Sequence, residues 1–471
     1  MQRFQLKNVL LWLVAIGFFM ETLDSTIVNT ALPSMAKSLG ESPLVMQSVI
    51  IAYSLTLGLC IPASGWIADR FGTRKVFFSA IILFSLGSLC CAGSHNLTQL
   101  VIARILQGIG GSMLMPVGRL AVLRAFPGDQ FLDAIAFVTV PAMIGPLIGP
   151  TLGGWLVQYA SWHWIFLINI PIGLLGCITT HIAMPDSRGV DLKPFDVIGF
   201  LQLAVSMVAI SFGLDGLSEL GFTHATVLVL FIFGFASLVS YAIRAHRKPN
   251  PLFPMSLFKF HTYTIGLLGN LFARIGSSGM PFLIPLLLQI SLGYTPFQAG
   301  MTMIPIAVAA IFAKRMAGPL IRRFSYRSVL ITNTFLVGFA IASFAFMSVE
   351  VPTWLRIAQL LFFGSVNSLQ FTAMNTLTLK DLDPKIASSG NGLFSMVQML
   401  AMSFGVATVA AVLSAFMNHF HGHENASFAL QAFHSTFLCM GAITCTSAWI
   451  FWQLSPITKS TPPKTSNLVV G

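Results

Sequence analysis

The sequence predicts an all-α polytopic membrane protein: two six-helix bundles related by a parallel repeat, plus two inserted helices, fourteen transmembrane helices in all. Three observations predict it. Only 9% of the residues are charged and 55% are hydrophobic, whereas soluble domains carry roughly a quarter charged residues. Apolar stretches recur along the chain, each about long enough to cross ~30 Å of hydrocarbon at 1.5 Å per residue. Finally, part of the first half reappears in the second half at a constant offset.

The spans are read at approximately 9–32, 47–67, 76–94, 97–119, 134–157, 164–184, 195–214, 224–243, 264–288, 298–317, 328–348, 354–376, 390–416 and 432–453. The first, Val9 to Leu32, is too long for a signal-peptide core and lacks a small-residue cleavage site. It contains Glu21 and Asp24, so it reads as a retained first helix. Of the 26 Lys and Arg residues, 22 fall in one set of alternate loops and in the termini. Only Lys37 and Arg356 fall in the other set, and Arg104 and Arg274 fall inside spans. By the positive-inside rule both termini should be cytoplasmic and the span count even. The net charge of +11 is thereby explained by topology, which argues against a nucleic-acid partner. All six cysteines lie in spans without metal-ligand spacing, so neither a disulfide nor a metal site is expected.

The repeat sets the organisation. Ser38-Leu39-Gly40-Glu41-Ser42-Pro43-Leu44 reappears as Ser291-Leu292-Gly293-Tyr294-Thr295-Pro296-Phe297, 253 residues later. At the same offset the segment Gly65 to Arg74 meets Gly318 to Arg327. Both copies have the same sidedness, so the repeat is parallel. The expected domains are a first bundle over 1–190, an inserted pair over 191–250, a second bundle over 251–456 and a cytoplasmic tail over 457–471. Two parallel halves suit alternating access, in which they rock about a site near the midplane. Neither a nucleotide cradle nor a hydrolytic constellation is supported, so the chain reads as no enzyme and without a cofactor. The expected partners are a small-molecule substrate and membrane lipid, with transport drawing on an ion gradient or running downhill; the sequence specifies no accessory export protein.

Gly65-Trp66-Ile67-Ala68-Asp69-Arg70-Phe71-Gly72-Thr73-Arg74-Lys75, between spans 2 and 3, resembles the signature of the major facilitator superfamily. Glycine permits the tight turn, and Asp69 is available to cap a helix or pair with a basic residue. The resemblance implies a conformational latch built from Gly65, Asp69, Arg70, Gly72 and Arg74; the alternative is a merely topogenic basic loop. The second copy has Arg322 where Asp69 stands. Leu23-Asp24-Ser25-Thr26-Ile27-Val28-Asn29-Thr30-Ala31-Leu32-Pro33 looks like the first-helix motif of the fourteen-helix drug:proton antiporters. Arg104-Ile105-Leu106-Gln107-Gly108-Ile109-Gly110-Gly111 is similar to a fourth-helix motif whose arginine is linked to proton coupling. Gly145, Gly149-Pro150 and Gly153-Gly154 follow the antiporter motif of the fifth helix, and Trp162 to Gly173 also resembles this branch, with His163 where many members have arginine. The resemblance implies export of drugs or other amphiphiles in exchange for protons. A dedicated exporter of one metabolite, lipid or siderophore stays open beside it, and so does a non-transporting sensor or channel.

Four ionisable residues lie well inside spans: Glu21, Asp24, Arg104 and Arg274. Each costs ~2.5–3.5 kcal/mol at a helix centre, which calls for a partner or a function. Asp24 and Arg104 sit at matching depth and are the candidates for proton coupling: separation of the two during rocking would free Asp24 to take up a proton, while a static ion pair is the bland alternative. Glu21 lies three residues from Asp24 and shares its face. The repeat offset sets Arg274 at the position equivalent to Glu21, where it could neutralise that carboxylate. Glu21, Gln107 and Arg274 are the candidates for the substrate cavity. Asn270, Gln289, Asn367, Gln370, Asn375, Asn391 and Gln398 line the cavity or, for most, bond between helices. His419, His421 and His423 read as a plain polar loop rather than a metal site.

Overall fold

A computed structural model describes residues 2–126, 130–189, 194–220, 224–382, 387–420 and 426–454. The tail over 457–471, and His421 and His423, lie outside the described residues. Helix 1 is Gln2–Ile27, helix 2 Gln47–Phe71, helix 3 Thr73–Ala92, helix 4 Leu97–Ala125 and helix 5 Gln130–Tyr159. Helix 6 is Trp164–Ala183, helix 7 Val197–Leu220, helix 8 Ala225–Arg247 and helix 9 His261–Ser291. The run Pro296–Phe346 contains helices 10 and 11; Thr353–Leu379 is helix 12, Ala387–His419 helix 13 and Ala426–Thr446 helix 14.

Among the described residues, twelve helical stretches are long and apolar enough to cross a membrane. One of them, Pro296–Phe346, holds two spans, because Ser325 leaves the helical region at φ 69°, ψ 158° and turns the chain back. Helix 12 completes the fourteen. It is more polar, and its polar side chains are used between helices: Ser368 donates to the Ala310 carbonyl, and Gln370 bonds Asn333 and Thr334.

Local chemistry sets the ends. Asn96 caps helix 4 by accepting from the Gln99 N–H, and Thr295 forms a capping box with Gln298 at the start of helix 10. The repeat is written into the backbone. Gly40 (φ 71°) and Gly293 (φ 69°), 253 residues apart, both take the left-handed conformation. Gly72 (φ 95°, ψ 142°) and Ser325, at the same separation, also share a positive φ. Glycine has no Cβ and accepts this region readily; serine does not. Ser325 is the only described non-glycine residue with positive φ.

The two bundles meet backbone to backbone at the face opposite the basic loops. There a Cβ on Gly154 of helix 5 would lie 2.2 Å from the Pro296 carbonyl oxygen, and one on Gly300 of helix 10 would lie 2.3 Å from that of Pro150. Thr151 donates to the Gly300 carbonyl, and Gln289 of helix 9 donates to that of Thr30, just beyond helix 1. A shared apolar core lies beneath this seal, including Ile27, Leu32, Met280, Leu283 and Phe344. Helix 7 packs against helices 2 and 13, and helix 8 packs mainly on helix 7. Only 17% of the helix 8 span is buried within the protein, so lipid is its solvent on most sides.

Candidate functional site

Toward the basic face the bundles part around a cavity of about 790 Å³. Its deepest acidic residue is Glu21; nearer the mouth it is lined by Asp69 and Arg119 from the first bundle and by Ser389, Asn391 and Gln398 from helix 13. The Glu21 side chain is mostly covered, and its Oε2 has no hydrogen-bond partner. Glu21 therefore lines the deep end of the cavity while its Oε2, itself buried, keeps spare accepting capacity.

One turn further along helix 1, Asp24 is fully buried. Arg104 Nη1 donates to its Oδ2 at 2.5 Å. The other carboxylate oxygen accepts from Gln107 Nε2 at 2.8 Å and from Asn169 Nδ2 at 3.1 Å. Arg104 also donates to Gln107 Oε1 and to the Val49 carbonyl, and its guanidinium lies 4.0 Å from the Tyr53 ring centroid. Ser88 joins Gln107 and Asn169 from helix 3. A buried charge pair is stable only when its remaining lone pairs and protons are also used, and here helices 1, 2, 3, 4 and 6 supply the partners.

Small residues bring these helices together. A Cβ on Gly87 would lie 2.5 Å from the Gln107 backbone, so helices 3 and 4 touch backbone to backbone at the height of the network. On helix 5, Gly145, Gly149 and Gly153 follow at four-residue spacing along one face. A Cβ on each would press within 2.2–2.4 Å of Thr22, Thr26 or the Ile27 carbonyl of helix 1. Gly154 faces the other bundle instead. Helix 5 thus binds helix 1 along one glycine stripe and closes the far seal with the next residue.

The sequence candidates fall into separate places. Asp24 and Arg104 touch. Gln107 belongs to their buried network and is not among the cavity-lining residues. Arg274 makes no ion pair with Glu21 among the described residues; its guanidinium lies 4.5 Å from the Phe371 ring centroid, and Nη1 is buried without a hydrogen-bond partner. The stretch of helix 9 that carries Arg274 packs mainly against helices 12, 13 and 14 of its own bundle, and Arg274 is not among the cavity-lining residues. Gln398 bonds Asn375 and also lines the cavity, whereas Asn270 bonds Thr378 within the second bundle.

In the signature loop, Asp69 pairs with Arg124 at 2.5 Å. That pair joins helix 2 to the end of helix 4, both in the first bundle, and so does not itself bridge the halves. Arg124 also donates to the Ser187 carbonyl, Arg74 Nε to that of Met184, and the Gly189 N–H to that of Asp69. A Cβ on Gly72 would collide with Asp186, whereas one on Gly65 would meet open space. Arg70 is exposed. Sequence reasoning missed Asn169, Tyr53 and Arg124. Asn169 carried a signal, as an amide inside an apolar span; nothing in the spacing marks Tyr53 or Arg124.

The Major Facilitator Superfamily model matches residues 14–406. The chain belongs to the Major Facilitator Superfamily. It is similar to "Putative multidrug resistance protein MdtD" of Serratia proteamaculans (strain 568), 48% identical over 441 residues, 94% of this chain and 92% of the relative. A relative of the same description from Pectobacterium atrosepticum is 47% identical over 448 residues, 95% of this chain and 96% of the relative. Among solved structures, a bacterial homologue of the lysosomal transporter Spinster, inward-facing and unoccupied, superposes with a TM-score of 0.69 at 15% identity, covering 95% of this chain and 96% of that one. A D-xylose-proton symporter superposes with a TM-score of 0.66, also at 15% identity, covering 95% and 97%. As a member of the superfamily's drug-exporter branch, the protein is a multi-pass membrane transporter of small molecules and not an enzyme.

Proposed function

We propose that the protein is a proton-coupled antiporter exporting drugs or other amphiphilic small molecules across the bacterial cytoplasmic membrane by alternating access. The basic face is cytoplasmic in this reading, with both termini on that side, so the structure is open inward and sealed outward. The observation that carries it is the buried Asp24–Arg104–Gln107–Asn169 network, one helical turn from Glu21 at the end of the cavity.

In the inward-open state the carboxylate of Asp24 is enclosed by Arg104, Gln107 and Asn169. Those partners come from other helices of the first bundle, so a rotation of these helices on opening outward would loosen them together. A carboxylate that loses its donors in low dielectric takes up a proton, and return to the inward state would release it beneath Arg104. Glu21 supplies the substrate-facing carboxyl group. Its unpartnered oxygen suits a cationic centre, and Leu57, Ile61, Met115 and Met399 supply apolar, adaptable walls. The Asp69–Arg124 pair fixes the mouth of the cavity on the first bundle's side. In this reading the domains divide at 1–190, 191–250 and 251–456. The relatives' description as multidrug resistance proteins supports a broad cargo.

The test is proton release from respiring everted vesicles on addition of cationic dyes, neutral drugs and metabolites. Release with several unrelated amphiphiles is expected, and none from vesicles bearing Asp24→Asn. Release with a single metabolite would instead identify a dedicated exporter, and substrate movement without any proton release would remove the coupling.

A further inference from the structure

A second built feature lies away from the central cavity, on the inserted pair. Helices 7 and 8 form a groove of about 850 Å³ toward their basic-face ends. Ala236, Val239, Ile243 and Arg247 fall along one face of helix 8 and line it. From Ala236 to Arg247 is about 16 Å at 1.5 Å per residue, close to the half-thickness of a ~30 Å hydrocarbon core. The groove therefore runs from apolar to basic over the depth of one leaflet.

Its basic end is organised. Asp196, buried at the start of helix 7, takes Lys248 Nζ at 2.7 Å and Arg244 Nη2 at 3.3 Å, and its Oδ1 also accepts from the Gly199 N–H. One carboxylate thus positions two cations at the groove end. Arg247, exposed beside them, has no acidic partner among the described residues. Three cations against one carboxylate leave a surplus of two positive charges. Midway down, Gln202 Nε2 donates to Ser240 Oγ at 2.7 Å, so the floor has hydrogen-bonding groups at the depth where a glycerol ester would lie.

We propose that this groove is a binding site for an anionic phospholipid of the basic-face leaflet, with the phosphate at Arg244, Arg247 and Lys248 and one acyl chain along Val239 and Ala236. Charge complementarity selects the occupant: a zwitterionic lipid offers no net charge to the surplus cations, and a free phosphate leaves the apolar half unused. The lipid packs helix 8 where the protein alone leaves it uncovered, beside the connector from Pro249 into helix 9.

Native mass spectrometry of the intact protein in detergent, with phosphatidylglycerol or phosphatidylcholine of matched chains, tests this. Wild type retains phosphatidylglycerol several-fold better, and Arg247→Glu, which leaves two cations against two carboxylates, removes that preference. Arg247 is exposed and unpaired, so the fold does not depend on it. Arg315→Glu, an exposed cation of helix 10 outside the groove, keeps the preference, and millimolar inorganic phosphate does not displace the lipid. Equal retention of both lipids by wild type, an unchanged preference in Arg247→Glu, an equal loss in Arg315→Glu, or displacement by phosphate would each overturn the proposal.

Discussion

Asp24 and Glu21 share one helix face but have different surroundings, and that difference governs what their substitution does. Asp24 is enclosed by donors. Asp24→Asn should abolish proton release in everted vesicles while substrate binding, measured by tryptophan fluorescence, persists. Because the variant leaves Arg104 without its counter-ion, a stability loss of up to about 3–5 kcal/mol accompanies it. Asp24→Glu keeps the charge and separates the two effects: its coupling shifts in pH dependence instead of vanishing. Arg104→Lys also impairs coupling, since an ammonium cannot reproduce the planar guanidinium whose Nη1 reaches Asp24 and Gln107 while Nε reaches the Val49 carbonyl. Glu21 lines the cavity, and its buried Oε2 has no hydrogen-bond partner. Glu21→Gln is therefore expected to lose cationic drugs and keep neutral ones in a transport assay; equal loss of both classes would count against a selecting role. The pairing of Asp24 with Arg104 was legible from their matching depth in the sequence. A direct Glu21–Arg274 contact was expected from the repeat offset and is absent, because an offset fixes equivalent positions in two bundles and not the gap between them.

Helix 5 and the loop between helices 10 and 11 show how far sequence reaches at the scale of an element. The glycines of helix 5 signal close packing, but the sequence does not say which neighbour each one meets. The structure separates Gly145, Gly149 and Gly153 from Gly154 by the rotation of a single residue. Gly154→Ala and Gly300→Ala should then share one phenotype. Each puts a methyl group against a carbonyl of the opposite bundle, an overpacking of about 1–3 kcal/mol. Labelling of a cysteine placed at Gln158 by an impermeant maleimide should rise in both, whereas Gly149→Ala should disturb helix 1 instead. Ser325 gives a prediction of opposite sign. Its positive-φ backbone stores about 1–3 kcal/mol, so Ser325→Gly should stabilise the protein by about 1 kcal/mol after the added unfolded-state entropy, read as a rise in Tm. Gly72→Ser should destabilise it, since strain and the clash with Asp186 combine.

For the whole molecule, fourteen spans, their order and the parallel repeat were all legible, because lipid demands long apolar helices and leaves few alternatives. Helix 12 is the least apolar, and its span was still read at 354–376 in the sequence. The facing of each helix was not legible: in a bilayer, lipid-facing and core-facing residues are both apolar, so periodicity carries little signal. Reporter fusions after Pro185, within 244–261 and at the C-terminus should all report cytoplasm; an external signal from 244–261 would mean that helices 7 and 8 do not both cross. The neutrality of the Asp24–Arg104 pair has an electrical consequence. Rocking one bundle carries both charges together and displaces no net charge through the membrane field. Since the protein returns to its starting state, the net charge moved over a complete cycle is that of the cargo and the proton, at about 2.3 kcal/mol per elementary charge per 100 mV. With one proton exchanged per substrate, a monovalent cation would cross electrically silently, while a neutral drug would generate current and accelerate under an imposed potassium-diffusion potential. A capacitance electrode on proteoliposomes should therefore see the second and not the first.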